Sequence, residues 1–246
     1  MLSFANLHIE LQSLFYKYYC YRDFTKNTSN FLNKPLFILC MTQKTLAVEL
    51  SRLASFKDAS TNLEQYSTES NVAAELIWDA NNFNLIKDKT IIDLGAGTGI
   101  LGIGCLLMGA KHILFVEKDS KAIQILKNNL KHIENLYEIN GTYEILNEDI
   151  VLFNTPADLV IQNPPFGTKN KNIDTVFLEK ALFLAPTVIT MHKTTTEQYI
   201  QELISKKNYT IRRKYHFMYP LKKTMPQHKQ AIEYINVSGW LLERNN

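Results

Sequence analysis

Asp93-Leu94-Gly95-Ala96-Gly97-Thr98-Gly99 follows the short apolar run Thr90–Leu94 (TIIDL) and leads into the apolar stretch Gly99–Met108. A buried strand, a glycine-rich turn and a helix in that order make the opening unit of a doubly wound parallel sheet. Glycines let the backbone turn tightly and let a ligand approach it closely. The segment Gly97-Thr98-Gly99-Ile100-Leu101-Gly102 also satisfies GxGxxG, so spacing alone leaves dinucleotide and S-adenosylmethionine binding open. Asp93 separates the two. A carboxylate ahead of the turn sits poorly beside a pyrophosphate but suits the cationic methionine portion of S-adenosylmethionine. The plain alternative is an ordinary strand-to-helix turn.

Working outward, helical and strand patterns alternate, as a doubly wound α/β sheet requires. Asn71–Asn81 and Gly99–Met108 read as helices, Ile113–Glu117 as a second strand, Ser120–Glu134 as a charged amphipathic helix, and Tyr143–Leu146 and Ala157–Gln162 as third and fourth strands. Thr175–Leu184 reads as a helix, Thr187–Met191 as a fifth strand and Thr195–Lys206 as a helix. Two β-rich segments, Tyr209–Met218 and Ala231–Leu241, bring the expected count to seven strands. Met41 begins a segment in which Leu46, Leu50 and Leu53 recur at helical spacing, so a self-contained domain is expected over 41–246. Residues 1–40 form an N-terminal extension of unknown role that can be dispensable and disordered.

The chain of 246 residues is 46% hydrophobic and 21% charged, enough to bury a full core. Its net charge of +3 argues for no partner by itself, so a nucleic acid would have to meet a local basic patch. No apolar run reaches the roughly 18 to 20 residues needed to span a bilayer. Cys20, Cys40 and Cys105 are widely spaced with no CxxC pair, which disfavours a disulfide framework and an intrinsic metal site and suits a reducing compartment.

Two acidic residues fall in register with the turn. Glu117, at the end of the second strand, can accept hydrogen bonds from both hydroxyls of a ribose. Asp149, after the third strand, can accept from the amino group of an adenine, although loop aspartates also cap turns. Asp119, Lys121, Lys127 and Lys131 are expected to be solvated surface.

Ile161-Gln162-Asn163-Pro164-Pro165-Phe166-Gly167 ends the fourth strand. Ligands of open parallel sheets sit beyond the carboxyl ends of strands, so Asn163 is expected to face the same crevice as Gly95. The amine of an adenine is a poor nucleophile because its lone pair is delocalised into the ring. The Asn163 side-chain oxygen and the Pro164 carbonyl can accept its two hydrogens and aim the lone pair in line with a methyl donor. Pro164 and Pro165 supply stiffness, and Phe166 offers a face for stacking an unpaired or flipped-out base. In isolation the motif is equally a strand-terminating turn.

These residues resemble the class I S-adenosylmethionine-dependent methyltransferases with an Asn-Pro-Pro-Phe/Tyr motif. LEQYST (Leu63–Thr68), NPPFGTKNK (Asn163–Lys171), DTVFLEKAL (Asp174–Leu182) and MHKTTTEQYI (Met191–Ile200) resemble the methyltransferase-like protein 5 family over about residues 41–242. The resemblance implies a Rossmann-like seven-stranded fold and N6-methylation of one adenosine in small-subunit (18S-type) ribosomal RNA. It also implies a small zinc-binding activator subunit as heterodimer partner and a cytoplasmic or nuclear location. Carried over, Gln65, Tyr66 and Thr68 close over the cofactor, and Asp93, Gly95 and Gly97 contact its methionine part. Glu117 holds the ribose, Asp149 the adenine, and Asn163, Pro164, Pro165 and Phe166 form the amine-acceptor site. The family usually has aspartate at Glu117. Residues 1–40 have no counterpart in it, and Lys222–Lys229 is spaced differently from its basic segment.

Residues 206–229 hold Lys206, Lys207, Arg212, Arg213, Lys214, Lys222, Lys223 and Lys229 with no acidic residue, interleaved with Tyr209, Tyr215, His216, Phe217 and Tyr219. Cations for phosphate and aromatics for stacking are what an unpaired RNA segment needs. Lys169 and Lys171 extend that surface to the acceptor motif. Equally, alternate aromatics fill the core face of a strand while the lysines are solvated. His192, after the fifth strand, reads as structural. The outer strand near Gly141–Asn147 is a candidate for pairing with a partner's strand. Rival functions are methylation of a protein glutamine amide and a non-catalytic RNA-binding scaffold of the same fold.

Overall fold

A computed structural model describes residues 41–56, 68–166, 172–222 and 232–245. The extension 1–40, Gln65, Tyr66, Lys169, Lys171, Lys223 and Lys229 lie outside the described residues, as does the side chain of Lys222. Elements follow in the order α1 (Gln43–Ser51), α2 (Ser70–Asn82), β1 (Thr90–Leu94), α3 (Ile100–Leu107), β2 (His112–Glu117), α4 (Ser120–Leu136) and β3 (Thr142–Asn147). Then come β4 (Leu159–Gln162), α5 (Ile173–Leu184), β5 (Thr187–Lys193), a single 3₁₀ turn (Thr194–Thr196), α6 (Glu197–Lys206), β6 (Tyr209–Lys222) and β7 (Ile232–Arg244).

The strands form one seven-stranded sheet in the order β3-β2-β1-β4-β5-β7-β6. β1 to β5 are parallel, while β7 runs antiparallel to β5 and β6 antiparallel to β7. The order reverses between β1 and β4, which makes their carboxyl ends the switch point where a doubly wound sheet opens a crevice. Asp93 pairs with Ile161, so Gly95 and Asn163 leave adjacent strands side by side.

The period-two alternation of the strands divides the core into two apolar layers. Ile91, Phe115, Ile161 and Leu241 face the layer of α1 to α4, and Ile92, Val160, Val188 and Trp240 face that of α5 and α6. The expected elements are present; most extend a residue or more beyond the expected ends, while α3, β4 and α6 are shorter than expected. Leu53 lies beyond α1, which stops at Ser51, but it still packs against the first layer. Thr42 supplies the start of α1, exchanging side-chain and backbone hydrogen bonds with Thr45.

Asn129 of α4 locks the segment before the sheet to the glycine turn. Its amide donates to Ala54 O and Thr98 O and accepts from Ala54 N, at 2.8–3.0 Å. The β6–β7 hairpin pairs along its whole length, but β5 pairs with β7 only over Val237–Glu243. The rest of the hairpin, Met218–Lys222 and Ile232–Asn236, therefore runs on past the carboxyl end of β5, on the side of the acceptor motif. No helix among the described residues is long and apolar enough to cross a membrane.

Candidate active site

The switch point opens into a cavity of about 460 Å³ lined by the glycine turn, the ends of β2 and β4, and the first turns of α5. Gly95 N and Ala96 N donate to Val116 O at 2.8 and 3.0 Å, which pins the turn to the neighbouring strand. Gly97 has φ +56°, in the left-handed region, and among the described residues a Cβ there would meet nothing closer than the Phe56 ring at 3.9 Å. Its Cα thus faces open cavity, where a ligand can approach the backbone closely. Gly95 is constrained differently, because a Cβ there would come within 2.6 Å of the Phe177 ring.

Glu117 sits beneath this turn. Its two carboxylate oxygens accept from Gly97 N and Asp119 N, both at 2.8 Å. Asp119, expected on the solvated surface, instead lines the cavity and caps α4 by accepting from Lys121 N. An N-cap aspartate ahead of a serine is the signal that could have found it.

Asp149 also lines the cavity. It accepts from Val151 N at 3.1 Å and faces Lys118 Nζ at 3.3 Å. The Val151 amide, aided by Lys118, holds its carboxyl below the usual range despite partial burial. It is therefore both a turn-forming aspartate and a charged acceptor at the cavity wall. Ile150, Val151, Ile173 and Phe177 add apolar wall.

Asp93 lies below the turn and does not line the cavity. It is 1% exposed and accepts from Gly102 N at 2.8 Å. Burial pushes its pKa up to about 8, against the lowering effect of the Gly102 amide and with a further push from the charge of Glu117.

Asn163, Pro164, Pro165 and Phe166 line the same cavity from the end of β4. Asn163 Nδ2 donates to Thr68 Oγ1 at 2.9 Å, and Asn163 Oδ1 is buried with no partner among the described residues. A buried, unused acceptor costs free energy unless a ligand supplies the donor. Phe166 is only 6% exposed and meets Tyr219 edge to face, with ring centroids 6.5 Å apart. Its packing thus fixes the motif against β6.

The basic stretch is more committed than its sequence suggests. Tyr209, Tyr215 and Tyr219 are buried, so those three aromatics serve the core rather than a stacking surface. Arg212 pairs with Glu243, Arg213 with Asp79, Lys214 with Glu197 and Lys207 with Glu179. Those acids come from other segments of the chain, which is why a local count of charge missed them. His192 is buried and lies outside the cavity lining.

Residues 70–218 match the family described as Conserved hypothetical protein 95. The rRNA N(6)-adenosine-methyltransferase Mettl5 of Drosophila melanogaster is 31% identical over 207 residues, covering 79% of this chain and 92% of that protein. The chain belongs to the METTL5-like family of methyltransferases. The METTL5 rRNA N(6)-adenosine-methyltransferase of Danio rerio is 32% identical over 174 residues, 66% of this chain and 79% of that protein. Among solved structures, PH1948 from Pyrococcus horikoshii, a candidate RNA methyltransferase, superposes with a TM-score of 0.74 at 33% identity, covering 84% of this chain and 100% of that one. The fold of the METTL5-like family, a Rossmann-like class I methyltransferase sheet, is the fold described above.

Proposed function

We propose that the protein methylates N6 of an adenosine in small-subunit (18S-type) ribosomal RNA, with S-adenosylmethionine as donor. The observation that carries this reading is Asn163 Oδ1, without a partner among the described residues, on a residue that lines the same cavity as Gly95 and Gly97. The residues present fit the donor: open space at Gly97 for close backbone approach, Glu117 for vicinal hydroxyls, and Asp149 beside Ile150 and Val151 for an adenine. When bound, S-adenosylmethionine supplies an electrophilic methyl group on a sulfonium.

The protein's own contribution is positioning. Asn163 Oδ1 and the Pro164 carbonyl accept the two hydrogens of the target amine, which orients its lone pair and favours pyramidal nitrogen. Thr68 holds the Asn163 amide so that the oxygen, rather than the nitrogen, is left for the substrate. A general base of unusual pKa is not required, because the amine becomes acidic only once it is alkylated. The reading extends to a small zinc-binding activator subunit as partner, with the β3 edge as its pairing strand, and to a cytoplasmic or nuclear location. The relatives' names support ribosomal RNA as the substrate class.

The deciding experiment incubates the protein and its activator with small-subunit ribosomal RNA and methyl-labelled donor, followed by nucleoside mass analysis. Labelled N6-methyladenosine is expected. Label confined to a protein glutamine would overturn the substrate assignment.

A further inference from the structure

Behind the acceptor motif runs a row of buried polar side chains that the proposed chemistry does not use. Gln162 and Thr190 are cross-strand partners on β4 and β5, and His192 lies two residues on, on the same face as Thr190. Gln162 Nε2 donates to Thr190 Oγ1 at 2.9 Å, and Thr190 Oγ1 lies 2.8 Å from His192 Nε2. His192 Nδ1 faces Asp174 Oδ2 at 3.8 Å, longer than a hydrogen bond, and has no hydrogen-bond partner among the described residues. Gln162, Thr190 and His192 are all buried, on the sheet face whose apolar layer includes Val160, Val188, Leu178 and Trp240.

Each end of this row adjoins residues of the cavity wall. Gln162 immediately precedes Asn163. Asp174 opens α5, next to Ile173 and three residues before Phe177, both of which line the cavity, with Phe177 packed over Gly95. Apolar side chains would fill this space at lower desolvation cost, so the polar row does more than pack.

We propose that His192 is a positioning residue. Through Thr190 and Gln162 it fixes the end of β4 from which Asn163 projects, and through Asp174 it fixes the first turn of α5. The neighbouring donors and acceptors assign its tautomer. Gln162 Nε2 can only donate, so Thr190 Oγ1 accepts from it and keeps its own hydroxyl hydrogen to give to His192 Nε2, while the Asp174 carboxylate, which can only accept, faces Nδ1. The ring proton therefore resides on Nδ1, directed at the Asp174 carboxylate. Burial keeps His192 below its ordinary pKa, against the opposing pull of Asp174, so the neutral ring is the working form.

The kinetic half of this proposal rests on the methyl-transfer reading; the tautomer does not. In the full-length protein, nitrogen-15 NMR of His192 at neutral pH should show Nδ1 protonated and Nε2 bare; the opposite tautomer would overturn the relay. Thr190→Val removes the hydroxyl at nearly constant shape, and Thr190→Ser keeps it. Since a displacement near 1 Å at a reacting centre can cost about a hundredfold, Thr190→Val should lower single-turnover kcat roughly ten- to a hundredfold while KM for RNA and donor stays within about threefold. Thr190→Ser should restore the rate. A folded Thr190→Val with wild-type kcat, or with a defect in KM alone, sinks the proposal. Should Thr190→Val fail to fold, the wild-type tautomer decides. An inactive wild type with Nδ1 protonated would refute the methyl-transfer reading and leave the relay intact.

Discussion

Thr68 Oγ1 accepts a hydrogen bond from Asn163 Nδ2 at 2.9 Å, joining residues 95 positions apart. This contact decides which atom of the Asn163 amide is left for a substrate. Asn163→Ala should therefore cost about 10²–10³ in kcat, the usual loss when one preorganised polar group is removed. Donor affinity, measured by calorimetry, should change little. Thr68→Val should give a smaller loss, about tenfold, that Thr68→Ser recovers. An Asn163→Ala enzyme with near-wild-type turnover would remove Asn163 from the chemistry.

Gly97 offers a separate test of where the donor lies. Its φ of +56° strains any L-residue, so Gly97→Ala should cost about 1–2 kcal/mol of stability. Among the described residues the new methyl clashes with nothing, because its nearest neighbour is 3.9 Å away. A bound ligand in close contact with the turn would meet that methyl directly. Donor affinity should thus fall far more than stability, by tenfold or more in calorimetry set beside a thermal melt (~1.4 kcal/mol per tenfold).

Asp93 predicts an unusual pH dependence. Its folded-state pKa of about 8 lies above the ordinary carboxyl value, so between these limits the folded chain holds a proton that the unfolded chain has lost. Stability is full below the unfolded pKa and is lost as pH rises through about 8, with a slope approaching about 1.4 kcal/mol per pH unit for one proton. Urea midpoints from pH 5 to pH 9 should decline in the wild type. Asp93→Asn keeps an acceptor for Gly102 N–H and should flatten that decline.

The ion pairs of β6 separate its cations by role. Arg213 is held by Asp79 at 2.8 Å, and Lys214 is held by Glu197. Arg213→Ala should leave RNA affinity nearly unchanged and cost at most about 1 kcal/mol of stability, as for an exposed pair. Lys169→Ala combined with Lys171→Ala should weaken RNA binding and reduce its salt dependence by about two counterions. Filter binding over a salt series distinguishes the outcomes, and equal effects from both variants would make the paired cations part of the RNA surface.

Much of this site was legible because its signals are local. Gly95 and Gly97 announce a turn, Glu117 ends a strand one unit later, and Asn163-Pro164-Pro165 must terminate β4 because consecutive prolines cannot extend a ladder. Alternation of apolar runs then set the α/β class and placed Gly95 and Asn163 at one end of the sheet. Asp93 shows the limit of such reasoning. Its position ahead of the turn was evident, yet only the packing of Gly102 and Phe115 around it shows that the carboxyl is buried beneath the cavity.

What the sequence by itself determined is the order of the elements, the turn chemistry and the residues presented at the strand ends, because φ restriction and hydrophobic periodicity act over a few residues. What only the tertiary structure decided is which charges and polar atoms are already satisfied. Asp79 neutralises Arg213, Tyr219 packs edge to face with Phe166, Thr68 claims one atom of Asn163, and Asn163 Oδ1 is left over among the described residues. Each of these contacts joins segments far apart in the chain. Burial and hydrogen-bond partnership are properties of the folded neighbourhood, and no local pattern encodes them.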